Sequence, residues 1–157
     1  MKRILSLLIL LSLILTTFGC SNKTTTTLIK QKPYELVGGV PEYNRVDVNL
    51  SIMNSTMTYS KVYDMMYYPE NYQNMVVKMT GVFNVYEGSS RVYPAVIIKD
   101  ATACCSQGIE FILYGDKTYP VDYPTLSNDI TVIGIFKIYF EGENKYAHLV
   151  DAVIVES

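Results

Sequence analysis

One stretch of the chain and a near-copy of it constrain the fold more than any other feature. Residues 76–86 read VVKMTGVFNVY and residues 130–139 read ITVIGIFKIY, so that a glycine, a phenylalanine and a tyrosine recur at matching positions. Both stretches are rich in β-branched and aromatic residues, which favour strands. The matching glycines, Gly81 and Gly134, are typical of a bulge or a bend inside a strand. The pair predicts two long, bent strands that lie side by side in a small closed barrel.

Five strand candidates follow one another in the second half of the chain. They span residues 75–86, 92–102, 108–114, 129–139 and 145–155. The third alternates cleanly, with Ile109 and Phe111 on one face and Glu110 on the other. In the fifth, the alternation changes phase between Leu149 and Ala152, which predicts a bulge.

A short helix is expected before these strands. Its apolar residues recur at i, i+3, i+4 and i+7 and are Tyr59, Val62, Tyr63 and Met66. They predict one apolar stripe, which would close an end of the barrel or, alternatively, bind a partner. Thr56 or Thr58 is the expected N-terminal cap. Pro69 is expected to end the helix near Tyr68.

Residues 1–19 have the pattern of a secretion signal rather than of folded structure. Lys2-Arg3 precedes an apolar run over residues 4–18 that is shorter than the about 20 residues needed to cross a bilayer. The Gly19-Cys20 pair after it resembles the end of a bacterial lipoprotein signal. The resemblance implies that Cys20 carries acyl chains and anchors the protein to the extracytoplasmic face of the cell membrane. An ordinary secretory signal with an incidental cysteine is the alternative.

Residues 20–52 are expected to form a flexible tether that begins at the lipidated Cys20. The segment is polar and punctuated by proline and glycine, and such sequence buries too little surface to offset its ordering entropy. Its last part alternates apolar with polar residues and is expected to dock as a short extended piece; the apolar residues are Val46, Val48, Leu50 and Ile52. Residues 53–157 are then expected to form one domain, a helix plus a barrel.

Composition restricts the partners. The chain has 13 basic and 15 acidic residues, and a mildly acidic protein is not built to coat nucleic acid. It has 14 tyrosines, 5 phenylalanines and no tryptophan. Tyrosine combines an apolar ring with a polar tip, which suits half-buried barrel strands or a binding face. We expect a monomer that binds a saccharide, a peptide or a protein, and no nucleic acid.

Five strands in this order, with bent first and fourth members, resemble the OB-fold. The similarity is closest to the anticodon-binding type found in aminoacyl-tRNA synthetases and in many secreted bacterial proteins, and it rests on residues 77–81, 130–134 and 149–152. The helix with the Pro69–Tyr72 segment and the loop at residues 103–108 resemble a set of bacterial lipoproteins of unknown function. The resemblance implies a mainly β, five-stranded Greek-key barrel and supplies no activity.

The resemblance also implies a binding face. OB-folds bind ligands along strands two and three, between the loops that join strands one to two and four to five. The residues expected there are Tyr93, Lys99, Glu110, Ile112 and Tyr114 on the strands, with Arg91 and Lys145 at the loops. No phosphate loop or nucleophile elbow occurs, and the sole histidine, His148, has the pattern of a strand residue. We therefore expect a binding module without a cofactor or a catalytic set.

The Cys104-Cys105 pair supports an alternative function. Neighbouring Cα atoms are about 3.8 Å apart, less than the about 4.4–6.8 Å of a relaxed disulfide, so a bond between them would be strained and easily reduced. In a strand, one thiol would be buried and the other exposed. For a metal, the pair has only Asp100 and the distant His148 to add, whereas zinc takes four ligands or three with water. A thiol-redox or metal-handling protein is therefore the alternative to the binding module.

Overall fold

The computed structural model describes residues 32–89 and 91–155, which are mainly β with one α-helix. In chain order the elements are β1 (Tyr34–Val37), β2 (Val40–Tyr43), β3 (Val48–Asn49), α1 (Ser55–Tyr67), a 3-10 turn (Pro69–Tyr72), β4 (Val76–Glu87), β5 (Val92–Lys99), β6 (Ser106–Leu113), β7 (Asp129–Glu141) and β8 (Asn144–Val155). The five strands expected from the sequence correspond to β4 to β8. The proposed signal, Cys20 and the chain up to residue 31 lie outside the described residues.

The two similar stretches form neighbouring antiparallel strands, as predicted. In the β4–β7 ladder, Val77 pairs with Gly134 and Gly81 pairs with Ile130. Strand β4 also pairs with β5, so the order β4-β5-β6-β8-β7 returns to β4 and the sheet closes on itself. The β6–β8 pairing is parallel, and the other pairings in this ring are antiparallel.

The two glycines of the repeat lie where neighbouring strands approach closely. A Cβ atom at Gly81 would lie 2.5 Å from the carbonyl oxygen of Ile97 and 2.8 Å from a methyl group of Val96. A Cβ at Gly134 would lie 3.0 Å from the Cβ of Leu149. Both positions therefore disfavour a Cβ, and the cause is close packing between neighbouring strands.

The predicted bulge in the last strand is also present. The β7–β8 register shifts opposite this region, between Ile133 and Ile135. Asp151 has a φ of 51°, a left-handed conformation in the middle of β8. The shift lets both Leu149 and Ala152 face the core, where each is at most 1% exposed.

The barrel interior is apolar. Its largest fully buried side chains include three phenylalanines, Phe83, Phe111 and Phe136. The rings of Phe83 and Phe111 meet edge to face with their centroids 6.0 Å apart, a favourable geometry for aromatic pairs. The helix packs its buried residues against this core.

The buried face of α1 differs from the predicted stripe. Val62 is buried and Tyr59 is partly buried against the core, as expected, but the other buried residues of the helix are Thr58 and Met65. Tyr63 and Met66 are instead 53% and 38% exposed. The helix is rotated about its axis relative to the prediction because Met65 packs into the core. Met65 was not part of the predicted apolar stripe.

The helix begins with a different cap. The side chain of Asn54 accepts a hydrogen bond from the backbone N–H of Met57 at 2.9 Å, so neither Thr56 nor Thr58 is the cap. Thr58 lies one turn inside the helix, where its hydroxyl donates to the carbonyl of Leu50 at 3.4 Å. The helix ends at Tyr67, close to the predicted end.

Much of the segment expected to be a tether is folded onto the barrel. Strands β1 and β2 form a hairpin, and β3 pairs with β4 in parallel. The hydroxyl of Tyr34 donates to the carboxylate of Asp151 at 2.9 Å, and that of Tyr43 donates to the Asp151 carbonyl at 2.8 Å. Val48 and Leu50 are buried, as a docked end requires, whereas Val46 and Ile52 are exposed. The expectation of a flexible tether is therefore wrong from β1 onward.

Candidate functional site

A cleft of about 490 Å³ lies on the outer face of the barrel, across β5, β6, β7 and β8. This volume falls within the range of about 300–1,000 Å³ that is typical of small-ligand sites. Four tyrosines and two carboxylates give the cleft its character, namely Tyr86, Tyr93, Tyr139, Tyr146, Glu110 and Glu141. Met66 of α1 lines it as well, which accounts for part of the exposed face of that helix.

A cluster of charged and hydroxyl groups forms the polar wall of the cleft. This Arg91 cluster consists of Tyr93, Glu110, Tyr139 and Glu141, which line the cleft, and of Arg91, which binds both carboxylates from beside it. Nη1 of Arg91 donates to Glu110 at 2.6 Å, while Nε and Nη2 donate to Oε1 of Glu141 at 3.1 and 2.9 Å. The side chain of Glu110 is only 8% exposed and that of Glu141 is 38% exposed. One guanidinium therefore bridges a buried and a half-exposed carboxylate.

The two tyrosines of the Arg91 cluster complete its hydrogen bonds. Tyr93 donates to Glu141 at 2.9 Å, and Tyr139 donates to Oε2 of Glu110 at 2.5 Å. The guanidinium carbon of Arg91 lies 4.1 Å from the ring centroid of Tyr93 and 5.3 Å from that of Tyr139, within cation–π range. The side chains hold one another in place before any ligand arrives.

The hydrogen bonds of the cluster keep Arg91 and Glu141 charged at neutral pH. Burial by itself lowers the pKa of Arg91, but the hydrogen bonds to Glu110 and Glu141 outweigh it and raise the pKa. The hydrogen bonds from Arg91 and Tyr93 lower the pKa of Glu141. Burial and the bond to Glu110 raise the pKa of Tyr139, so its phenol keeps its proton. With one cation and two carboxylates, the wall does not attract anions.

Tyr139 also forms part of an aromatic stack. Its ring lies 5.5 Å from that of Tyr146 and 4.4 Å from that of His148, centroid to centroid. Burial lowers the pKa of His148, and its Nδ1 atom is buried without a hydrogen-bond partner among the described residues. A general base needs an orienting partner, and this imidazole has none in the described part of the chain.

Of the seven residues expected on the binding face, the structure brings three together and places the other four elsewhere. Arg91, Tyr93 and Glu110 belong to the Arg91 cluster. Lys99 is exposed at the end of β5, and Ile112 is 39% exposed outside the cleft. Tyr114 packs against Tyr34, and Lys145 donates to Glu70 at 2.5 Å.

Among the tyrosines and carboxylates that line the cleft, sequence reasoning missed four, namely Tyr86, Tyr139, Glu141 and Tyr146. A signal for two of them was available, because Tyr86 and Tyr139 are the matching tyrosines of the repeated stretch. Both end up facing the same cleft. Glu141 was not among the expected binding residues, and Arg91, on a distant part of the chain, binds it.

The cysteine pair lies in a loop rather than in a strand. Strand β5 ends at Lys99, before the predicted residue 102, and β6 begins at Ser106. Ala103 has a φ of 57°, so the chain turns just before the cysteines. Cys104 and Cys105 are both exposed free thiols with their sulfur atoms 3.5 Å apart. The expectation that one would be buried is wrong, because the alternation of a strand does not extend to them.

Comparisons with other proteins add no assignment to this geometry. The chain matches no known family model, and a search of curated proteins finds none that it resembles significantly. Among the described residues, no helix is long and apolar enough to cross a bilayer.

Proposed function

We propose that this protein is a non-enzymatic binding module with an OB-like barrel and that it binds a neutral oligosaccharide in the cleft. A lipid anchor holds the module at the extracytoplasmic face of the cell membrane. The observation that carries the proposal is the preformed, tyrosine-lined cleft with the Arg91 cluster as its polar wall.

The OB-like assignment is supported by the strand order. With β4 to β8 taken as strands one to five, the ring runs one-two-three-five-four and back to one, with strands three and five parallel. An OB-fold binds on the face of strands two and three, between the one–two and four–five loops. The cleft occupies that face, with Arg91 beside the first of these loops and Glu141 beside the second.

The ligand class follows from the chemistry of the cleft. Tyrosine rings offer flat apolar faces that can pack against the C–H faces of sugar rings, while their hydroxyls and the carboxylates can hydrogen-bond to sugar hydroxyls. Arg91 already neutralises part of the carboxylate charge, so a polyanion gains little from this wall. A neutral ligand rich in hydroxyls can stack on the tyrosine rings of the cleft and hydrogen-bond to its polar wall.

The cleft is tested by screening the full chain against an array of neutral oligosaccharides and then titrating any hit with variants. Tyr93→Ala should weaken binding by about tenfold or more, because one aromatic platform contributes about 1–3 kcal/mol in comparable stacking sites. Tyr114→Ala is the matched control, since this tyrosine lies outside the cleft, and it should bind like wild type.

Two results would count against the proposal. Equal loss of affinity in both tyrosine variants would mean that the saccharide does not bind in the cleft. Binding of peptides, with no neutral saccharide bound and with sensitivity to Tyr93→Ala, would keep the cleft but replace the ligand class.

The anchor has its own test. Cys20 follows a short apolar run and a glycine, as in lipoprotein signals, and acylation there would attach the module to the membrane. Metabolic labelling with a fatty-acid analogue should tag the wild-type chain and leave Cys20→Ala unlabelled, whereas Cys104→Ala should be labelled normally. Equal labelling of wild type and Cys20→Ala would exclude a lipid on this residue.

A further inference from the structure

We propose that the loop between β5 and β6 is a binding site for a thiophilic divalent cation of the zinc type, with Asp100, Cys104 and Cys105 as its ligands. The carboxylate oxygen and the two sulfur atoms all lie within 4.8 Å of one another. Among the described residues, this is the one group of three metal-ligating side chains that comes together in this way. The site is separate from the Arg91 cluster and does not depend on the proposed saccharide binding.

The spacing of the ligand atoms fits tetrahedral coordination. Two thiolates at about 2.3 Å from a tetrahedral zinc ion lie about 3.8 Å apart, and a thiolate and a carboxylate oxygen at about 2.0 Å lie about 3.5 Å apart. The observed distances are 3.5 Å between the sulfur atoms and 3.3 Å between the sulfur of Cys104 and Oδ2 of Asp100. The third pair, the sulfur of the exposed Cys105 and a carboxylate oxygen of Asp100, lies within 4.8 Å.

The backbone of the loop holds these side chains together. The N–H of Asp100 donates to the carbonyl of Cys105 at 3.0 Å, and the N–H of Ala103 donates to the carbonyl of Asp100, also at 3.0 Å. The left-handed Ala103 then turns the two cysteines out of the strand, so that adjacent side chains converge where a strand would separate them. This arrangement places two sulfurs and a carboxylate on one side of the loop.

Hydrogen bonds to the carboxylate orient it toward the sulfurs. The N–H of Cys104 donates to Oδ1 of Asp100 at 3.0 Å, and the hydroxyl of Thr102 donates to Oδ2 at 3.0 Å. Groups that hydrogen-bond to a ligand commonly orient it for the metal. The carboxylate is therefore held in place by the hydroxyl of Thr102 and the backbone N–H of Cys104, two groups that do not themselves bind the metal.

The donor set selects the class of cation. Two thiolates and one carboxylate suit zinc and its softer relative cadmium, whereas magnesium and calcium prefer oxygen alone. Binding would release the two thiol protons to solvent and form two metal–sulfur bonds and one metal–oxygen bond. With all three side chains on an exposed loop, a water molecule can fill the fourth position, as in open zinc sites.

The probe is Co²⁺, followed by displacement with Zn²⁺, on the reduced full chain carrying Cys20→Ala so that only the loop thiols remain. We expect one equivalent of Co²⁺ to produce a thiolate-to-metal charge-transfer band, and Zn²⁺ to abolish it. Cys104→Ser or Cys105→Ser should remove the band. Asp100→Asn should weaken binding by about tenfold or more, since even groups that only support a ligand contribute about 10- to 100-fold.

Asp116→Asn is the matched control, because Asp116 is an exposed aspartate outside this loop, and it should bind Co²⁺ like the parent chain. The proposal is overturned if the band survives the double change of Cys104 and Cys105 to serine. It is also overturned if the chain, kept reduced and free of oxygen, gives no band. Saccharide binding by Asp100→Asn should match wild type, which keeps this result distinct from the test of the cleft.

Discussion

Replacing Gly81 with valine should destabilise the protein by about 3 kcal/mol or more and lower the melting temperature by about 10 °C or more. A side chain at this position would meet the backbone carbonyl oxygen of Ile97 at 2.5 Å, and a backbone atom cannot rotate away as the end of a side chain can. Strand β4 would have to separate from β5 in the ladder that pairs Val82 with Ile97. Since β4 also pairs with β7, the displacement would disturb both sides of the ring.

Thermal melts of three variants give a ranked test. Gly134→Val should be destabilising but less so than Gly81→Val, because its nearest contact, with the Cβ of Leu149, would be at 3.0 Å rather than at 2.5 Å. Thr80→Val, next to Gly81 on the same strand, should change least, since it loses one partly exposed hydrogen bond to Thr131. If Gly81→Val has the same melting temperature as the Thr80→Val control, close packing at the repeat glycines does not determine the shape of the barrel.

The barrel could be predicted from the sequence because its strongest signal is local. Strand-forming residues and a central glycine recur in two stretches, and each stretch can be identified without knowing its neighbours. The alternation in β6 also fixed which side chains point inward, and Ile109 and Phe111 are fully buried as it predicts. Patterns of this kind depend on the geometry of a single strand, so one sequence is enough to find them.

The folded segment before α1 could not be predicted in the same way. Its composition is that of a tether, and its order depends on Asp151, which is 117 residues away from Tyr34 along the chain. The carboxylate and carbonyl of Asp151 hold the hydroxyls of Tyr34 and Tyr43, and no local pattern contains that pairing. Segments ordered by distant partners look flexible when only their own sequence is considered.

The candidate site was predictable in position but not in composition. The resemblance to the OB-fold led to the face of β5 and β6 and to Arg91, Tyr93 and Glu110. It did not lead to Glu141, because the Arg91–Glu141 ion pair connects positions 50 residues apart and requires the closed ring. The same limit applies to the cysteine loop, where the left-handed Ala103 decides that the two sulfurs converge.

The second large effect is expected at the ion pair in the wall of the cleft. Arg91→Met should destabilise the protein by about 2–3 kcal/mol, because it leaves the carboxylate of Glu110 buried without its cation. Breaking a fully buried pair costs about 3–5 kcal/mol, and the lower figure here reflects the 35% exposure of the Arg91 side chain, which lets water screen the charges. Methionine keeps much of the apolar volume that packs on the ring of Tyr93.

Urea denaturation of a double-mutant cycle measures this directly. Arg91→Met combined with Glu110→Gln should be less destabilised than the sum of the two single changes, by about 1 kcal/mol or more, because the second change removes the unpaired charge. Glu141→Gln is the matched comparison, since Glu141 is the half-exposed partner of the same guanidinium and should couple to Arg91 more weakly. Strictly additive effects of Arg91→Met and Glu110→Gln would show that this pair does not hold the wall of the cleft together. The cleft would then have to owe its shape to the stack of Tyr139, Tyr146 and His148 instead.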